Sequence, residues 1–286
     1  MMKGVFTALV TPFNTDGSID LGAYRDLITY QIESGIDGLV PVGTTGESPT
    51  LEPDEKELLI KTAVELANGK IPVIAGTGCN NTKHAVESTK IAKALGADMS
   101  LQVAPYYNKP TNEGLYRHFI TIAEESGLPS VLYNVPGRSA INMGVTLLLR
   151  LAEHPLIVAL KEACGVMSQI QTILHKRPEG FSILSGDDSL TLPMMVCGGD
   201  GIISVASNMF PKEMVEMTHA MLHKDMVKAL EIHNKLYPFF VNEFIEANPV
   251  PIKTYMAQKG MIGETVRLPL CNLLPENRQT LLSTFN

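Results

Sequence analysis

The sequence lacks the features of nucleic-acid-binding and membrane proteins. It has no run of lysines or arginines, and 23 basic residues against 30 acidic ones leave a formal net charge of −7. Such a chain has no electrostatic footprint for nucleic acid or for an anionic membrane surface. No apolar run reaches the length of a membrane span. If the substrate is an anion, local cations must capture it.

Cysteine is also scarce. The four cysteines, Cys79, Cys164, Cys197 and Cys271, form no CxxC pair and have no histidine partner at zinc-finger spacing. Neither a disulfide framework nor a zinc site is therefore indicated. The opening MMKGVFTALVTPFN has an apolar stretch too short for a signal-peptide core. We expect a soluble cytoplasmic protein with reduced thiols.

Short, β-rich apolar runs recur along most of the chain. Between most of them lies a segment with apolar residues at three- and four-residue spacing and a closing glycine, such as LGAYRDLITYQIESG. This alternation predicts parallel βαβ units. Eight units fit a closed (β/α)8 TIM barrel, because closure removes the exposed edges of an open sheet. The eight runs span residues 5–10, 37–42, 71–76, 99–104, 129–134, 156–161, 181–186 and 201–206.

The strand pattern stops at about residue 224. The segments 224–247, 251–260 and 275–285 have helical patterns, and no low-complexity linker separates them from the rest. We therefore assign residues 1–224 to a (β/α)8 catalytic barrel and residues 225–286 to a C-terminal helical region.

Polar side chains gather at one rim of the predicted barrel. TIM-barrel active sites lie at the carboxyl ends of the strands. Here those ends carry GTTGE at 43–47, YYN at 106–108, Tyr133, Lys161 and GDD at 186–188.

Lys161 follows the apolar run IVAL, a setting that favours a reactive amine. An ordinary lysine, with a pKa of about 10.4, has only about one amine in 2,500 unprotonated at pH 7, and an apolar environment lowers that pKa. Such an amine suits Schiff-base formation with a carbonyl substrate, with Tyr133 as the candidate acid/base. Taken alone, a solvated strand-end lysine and an amphipathic tyrosine are the plainer interpretations. Their shared position on the predicted rim favours catalytic roles for both residues over these interpretations.

The GTTGE loop suits an anion, since its backbone N–H groups and two hydroxyls can hold a carboxylate. It is not a P-loop, because the GK[ST] ending is missing. Asp187 and Asp188 oppose a phosphate site after strand seven, so a sugar phosphate is disfavoured. A divalent ion at this pair is possible, although a loop turn or cap is the commoner role.

His219 and His223 lie four residues apart but lack the intervening glutamate of HExxH. A solvated helix face is the favoured interpretation, and we predict no metal site.

Four motifs together closely resemble the dihydrodipicolinate synthase family: GTTGES at 43–48, APYYNKP at 104–110, YNVPGRS at 133–139 and LKEACG at 160–165. The likeness runs from VFTALVTPF to ANPVPIK near residue 250. It implies that Lys161 forms an imine with pyruvate and that the resulting enamine attacks L-aspartate 4-semialdehyde. Cyclisation would give 4-hydroxy-tetrahydrodipicolinate, on the route to diaminopimelate and lysine, without a metal or cofactor.

The resemblance also implies a shared active site. Tyr133, Thr44 and Tyr107 match the proton relay of the family, in which the equivalent of Tyr107 reaches in from a neighbouring subunit. The implied assembly is a homotetramer built as a dimer of dimers. Adjacent aromatics, Tyr106 and Tyr107, suit such an interface.

Further residues match substrate-binding positions. By resemblance, Thr45 holds the pyruvate carboxylate and Arg138 the carboxylate of the semialdehyde, while Gly186 and the carbonyl of Ile203 complete the pocket. Two rivals stay open at this point. One is an aldolase of the same superfamily acting on N-acetylneuraminate or a 2-keto-3-deoxy acid, and the other is a non-catalytic pyruvate-binding relative.

An effector site for lysine is matched only in part. Ser48, Asn80 and Tyr106 correspond to the site of lysine-sensitive relatives. Four positions depart from it, namely Pro49, Pro53, Lys56 and His84. We expect lysine to inhibit weakly or not at all, because a carboxylate partner for one of its ammonium groups is replaced and Lys56 adds a like charge.

Overall fold

The computed structural model describes residues 1–285. Its eight strands form one parallel sheet in the order β2-β1-β8-β7-β6-β5-β4-β3, and a bridge between Leu39 and Val73 brings the two ends together. The predicted (β/α)8 TIM barrel is confirmed, and every predicted apolar run overlaps a strand. The strands are β1 (Gly4–Ala8), β2 (Gly38–Val40), β3 (Ile74–Gly76), β4 (Met99–Val103), β5 (Ser130–Asn134), β6 (Ile157–Glu162), β7 (Ser182–Ser185) and β8 (Gly201–Ser204).

Helices connect the strands and surround the sheet. Several begin with a side-chain cap, as where Asp20 accepts a hydrogen bond from the Ala23 amide and Thr111 from that of Gly114. The helices are α1 (Leu21–Glu33), α2 (Pro53–Ala67), α3 (Thr82–Ala94), α4 (Asn112–Ser126), α5 (Pro136–Ser139), α6 (Val145–Ala152), α7 (Met167–Lys176), α8 (Thr191–Val196), α9 (Pro211–Leu222), α10 (Met226–Asn242), α11 (Val250–Gln258) and α12 (Pro275–Leu282).

The barrel interior is filled by a packed cluster of buried apolar side chains. It takes one or two side chains from each strand, and Tyr133 and Ile203 belong to it. Because strand side chains alternate, the same strands present their other faces to the surrounding helices. The site therefore rests on a rigid floor of strand residues.

The last three helices follow the barrel, and the boundary predicted near residue 224 lies between α9 and α10. Aromatic packing joins them to the barrel: the Phe239 ring lies edge-on to those of Phe210 and Tyr255, each with centroids 4.9 Å away. Within residues 1–285, no helix is long and apolar enough to cross a bilayer.

Candidate active site

Strands β5 and β6 place Tyr133 and Lys161 directly opposite each other. Both side chains are buried, and the Lys161 Nζ lies 4.3 Å from the centroid of the Tyr133 ring. Gly186 passes close beside the lysine stem. A Cβ at this position would lie 3.0 Å from both Cγ and Cε of Lys161, so glycine leaves the space that the extended lysine occupies.

The surroundings change the acidity of both groups. Burial lowers the pKa of Lys161 to about 8, against the opposing negative charge of Asp188, and the nearby Arg138 lowers it further. Roughly one amine in ten is then unprotonated at pH 7. Burial raises the pKa of Tyr133 to about 12, although Arg138 and the Thr44 hydroxyl oppose this. Tyr133 therefore stays a phenol at neutral pH and can donate a proton.

The loop after β2 brings a second group of donors to the rim. Its tight turns are closed by backbone hydrogen bonds from Gly46 N to Gly43 O and from Glu47 N to Thr44 O, both 3.1 Å. Within the described chain, the amides of Thr44 and Thr45 donate to no protein group. Two free N–H groups beside a hydroxyl form a cradle for a carboxylate.

Asn248 joins this loop to Arg138. Its Nδ2 donates to the Thr45 hydroxyl at 3.0 Å, and its carbonyl accepts from the Arg138 guanidinium at 3.3 Å. Sequence reasoning missed this residue. The motif ANPVPIK contains it, but no spacing in the sequence shows that its side chain points at a residue 203 positions earlier.

A buried ion pair supports the same loop from below. Glu47 and Lys253 are fully buried, with 2.7 Å between Oε1 and Nζ. The Lys253 ammonium also donates to the Thr11 carbonyl at 2.9 Å and lies 4.4 Å from the centroid of the Phe13 ring. The Arg267 amide donates to the second oxygen of Glu47 at 3.0 Å. Sequence reasoning assigned no role to either member of this pair.

Tyr107 is not brought to the lysine within one chain. Its side chain is 90% exposed, and its backbone has a φ of +73°, a region that a bulky residue seldom occupies. The loop around it is nevertheless held: the Asn80 side chain donates to the Tyr106 carbonyl at 3.2 Å, and the Asn108 side chain donates to the Asn80 carbonyl at 2.8 Å.

A cavity of about 530 Å³ opens beside the rim. Lys161 and Tyr133 do not line it. The cavity extends instead from the substrate-binding candidates to the predicted effector residues, and its walls include Thr44, Arg138, Ser48, Lys56, Glu57, His84 and Tyr106. Glu57 adds a carboxylate to this wall, and no motif in the sequence predicts it.

The other polar candidates have structural partners. His219 Nε2 contacts the Asp37 carboxylate at 2.9 Å, and His223 Nδ1 contacts the His219 carbonyl at 2.8 Å. Asp187 accepts hydrogen bonds from the amide and the hydroxyl of Ser189. Among the residues described, no group of three or more His, Cys, Asp or Glu side chains could hold a metal ion.

A closed α/β barrel with a buried lysine of lowered pKa against a tyrosine, at the carboxyl ends of its strands, suits the imine chemistry of class I aldolase-type lyases. The sequence comparison then gives the family. The whole chain, residues 1–286, matches the model of the dihydrodipicolinate synthetase family, and the chain belongs to that family. The predicted family and its enzymatic class are confirmed.

Relatives and solved structures agree with this. A relative named 4-hydroxy-tetrahydrodipicolinate synthase, from Koribacter versatilis, is 50% identical over 98% of this chain and 94% of its own. The structure of the synthase from Methylacidiphilum fumariolicum SolV has a TM-score of 0.97 at 44% identity and covers 99% of this chain and 95% of its own. The structure of the enzyme from Acinetobacter baumannii in complex with pyruvate has a TM-score of 0.97 at 41% identity. It covers 99% of this chain and 98% of its own.

Proposed function

We propose that this protein condenses pyruvate with L-aspartate 4-semialdehyde to give 4-hydroxy-tetrahydrodipicolinate, through an imine on Lys161. The observation that carries the proposal is the buried Lys161 amine, with its lowered pKa, in contact with the Tyr133 ring. Family membership over the whole chain supports the choice of substrates.

The reaction uses Lys161 as nucleophile and leaving group. Its neutral amine attacks C2 of pyruvate, water leaves, and a protonated imine forms. This imine withdraws electrons, so a proton can leave the methyl carbon and give an enamine. The enamine carbon attacks the aldehyde carbon of the second substrate. The amino group of that substrate then attacks C2, closes the ring and releases Lys161. No metal or cofactor is needed, because the imine itself accepts the electrons.

Two separate groups hold the two carboxylates. The free amides of Thr44 and Thr45, with the Thr45 hydroxyl, bind the carboxylate of pyruvate. Arg138, exposed at the mouth of the site, forms a two-pronged pair with the carboxylate of the semialdehyde. Gly186 and the Ile203 carbonyl complete the pocket around the imine.

Proton transfer is assigned to Tyr133, Thr44 and Tyr107. Tyr133 contacts the lysine, and its phenol keeps its proton at neutral pH until a reacting oxygen or nitrogen takes it. Tyr107 serves the relay of a neighbouring copy of this chain, which accounts for its exposure here. A homotetramer built as a dimer of dimers would satisfy this arrangement.

The proposal also includes a cellular location and a division of the chain into two regions. The four cysteines are free thiols, as in proteins of a reducing compartment, so we place the enzyme in the cytoplasm. We keep the division into a barrel at 1–224 and a helical region at 225–286, in which the second part supplies the residues that hold Thr45 and Glu47.

Borohydride trapping tests the imine. Incubation with pyruvate and borohydride should add a reduced pyruvyl mass to the peptide that contains Lys161. Lys253 is the internal control, because burial lowers its pKa too but Glu47 holds it as an ammonium ion. An adduct on Lys253, or the absence of an adduct on every lysine, would refute the proposed mechanism.

A coupled assay tests the second substrate. Protein and pyruvate are offered aspartate semialdehyde or a sugar aldehyde in parallel, and only the semialdehyde should be consumed. Turnover of N-acetylmannosamine or a sugar-acid aldehyde without turnover of the semialdehyde would assign the protein to the aldolase branch.

A further inference from the structure

Two buried carboxyl groups, those of Glu243 and Asp188, lie within hydrogen-bonding reach of each other, and the charge of Asp188 acts on the reactive lysine. Glu243 caps the C-terminal end of α10 and is fully buried. Within residues 1–285, no donor reaches either of its carboxyl oxygens. The group that it faces is a second acid, Asp188, from the loop after β7, with Asp187 farther along the same loop. Two carboxylates cannot both stay ionised in such a place.

The hydrogen bonds show which of the two is ionised. Asp188 accepts from the Ser204 hydroxyl at 2.5 Å, from the Val205 amide at 3.0 Å and from the Ala206 amide at 3.4 Å. All three groups donate, so they stabilise a carboxylate. In the part of the chain that the structure describes, Glu243 has no such donor, and a protonated carboxyl there gains one acceptor, Asp188. Burial, followed by the negative charge of Asp188, raises the pKa of Glu243 well above its ordinary value.

The charge of Asp188 acts on the catalytic lysine. It raises the pKa of Lys161, against the lowering caused by burial and Arg138. A second negative charge on Glu243 would favour the ammonium form of Lys161 further, and so reduce the fraction of free amine. A single charge leaves the amine available and still stabilises the protonated imine.

We propose that Glu243 is a positioning residue that holds the shared proton of a Glu243–Asp188 pair, so that the pair presents one negative charge to Lys161 and to its imine. The charged groups facing the pair are Asp187 on the same loop and Lys161 on β6, with Arg138 beyond the lysine. The catalytic consequence rests on the proposed imine chemistry, whereas the location of the proton does not.

Infrared difference spectroscopy at pH 7, without substrate, tests the proton directly. The wild-type protein should show the carbonyl band of a protonated carboxylic acid, and Glu243→Gln should lose it. Glu162→Gln is the matched control. Glu162 is also buried, and burial raises the pKa of its carboxyl, but hydrogen bonds from the Asn134 side chain and the Cys164 amide oppose that rise and stabilise its carboxylate. Its replacement should therefore leave the band. Absence of the band from wild type, or its loss in Glu162→Gln alone, would overturn the proposal.

The pH profile of pyruvate imine formation tests the consequence. In wild type, kcat/KM for pyruvate should decrease at low pH as Lys161 becomes protonated. Glu243→Gln removes no charge, so the midpoint of this acidic limb should stay within about 0.3 pH units of wild type. Asp188→Asn removes the charge and should move that limb to lower pH. A shift in Glu243→Gln equal to that in Asp188→Asn would show that Glu243 is ionised. If Glu243→Gln does not fold, a band that persists in Glu162→Gln supports the proposal, and its absence from wild type overturns it. Because that band needs no pyruvate, failure of the imine reaction would leave the proton assignment standing, and the reverse also holds.

Discussion

Replacing Lys253 with methionine should destabilise the protein strongly and weaken pyruvate binding. The change keeps the length and the apolar stem but removes the ammonium that contacts Glu47 at 2.7 Å and the Thr11 carbonyl at 2.9 Å. Among residues 1–285, Glu47 would then be a fully buried carboxylate with only the Arg267 amide as donor.

The size of the effect follows from the burial of both partners. Breaking a fully buried pair by removing one member costs about 3 to 5 kcal/mol, because the remaining charge is uncompensated. At about 2 to 3 °C per kcal/mol for a chain of this size, the melting temperature should fall by roughly 6 to 15 °C. Since Glu47 belongs to the loop of Thr45, KM for pyruvate should increase more than kcat decreases.

A double-mutant cycle measures the pair itself. Thermal unfolding of Lys253→Met, Glu47→Gln and the double variant should show that the second change costs far less than it does alone. Lys228→Met is the control: its pair with Glu216 is about half exposed, so the loss should stay below about 1 kcal/mol. A melting temperature within about 2 °C of wild type for Lys253→Met, or strict additivity in the cycle, would refute the reasoning.

Three further predictions concern the acids and the anion sites. The folded-state pKa of Glu243 is raised, so its contribution to stability is full below about pH 4.5 and is lost as the pH rises toward that pKa. Glu243→Gln should therefore gain stability over wild type as the pH rises above about 4.5, by up to about 1.4 kcal/mol per pH unit in chemical denaturation, and a constant difference would contradict this. Arg138→Ala should lose about 1.5 to 3 kcal/mol in kcat/KM for the semialdehyde with little change in borohydride trapping of pyruvate; an equal loss in both would remove its assignment. Half-inhibition by L-lysine, titrated at saturating pyruvate, should lie above a millimolar because Lys56 and His84 line the cavity; stronger inhibition would mean that Glu57 supplies the missing carboxylate.

The sequence predicted the barrel and the position of Lys161 at a strand end because both depend on local patterns. Alternating strand and helix periods give the eight βα units, and a strand-end position places Lys161 and Tyr133 on one rim. Their register, with Tyr133 opposite Lys161, then follows from the parallel pairing of β5 and β6.

The supporting residues could not be predicted in the same way. Asn248 contacts Thr45 across 203 positions, and Lys253 contacts Glu47 across 206. Glu243 sits at the end of an ordinary amphipathic helix, where a glutamate normally faces water. Only tertiary packing turns that side chain inward. The burial of Glu243 could therefore not be predicted from residue spacing.

The contacts of Asn248, Lys253 and Arg267 have a consequence for synthesis of the chain. Translation releases the N-terminal part first, so all eight strands and Lys161 leave the ribosome before these three residues do. A nascent chain that ends before residue 248 can contain the complete sheet, yet the Thr45 hydroxyl and the Glu47 carboxylate have not met their partners. The supports of the anion cradle are thus added only after the sheet that carries Lys161, and a chain that ends before residue 248 has the nucleophile without the contacts that hold Thr45 and Glu47 in place.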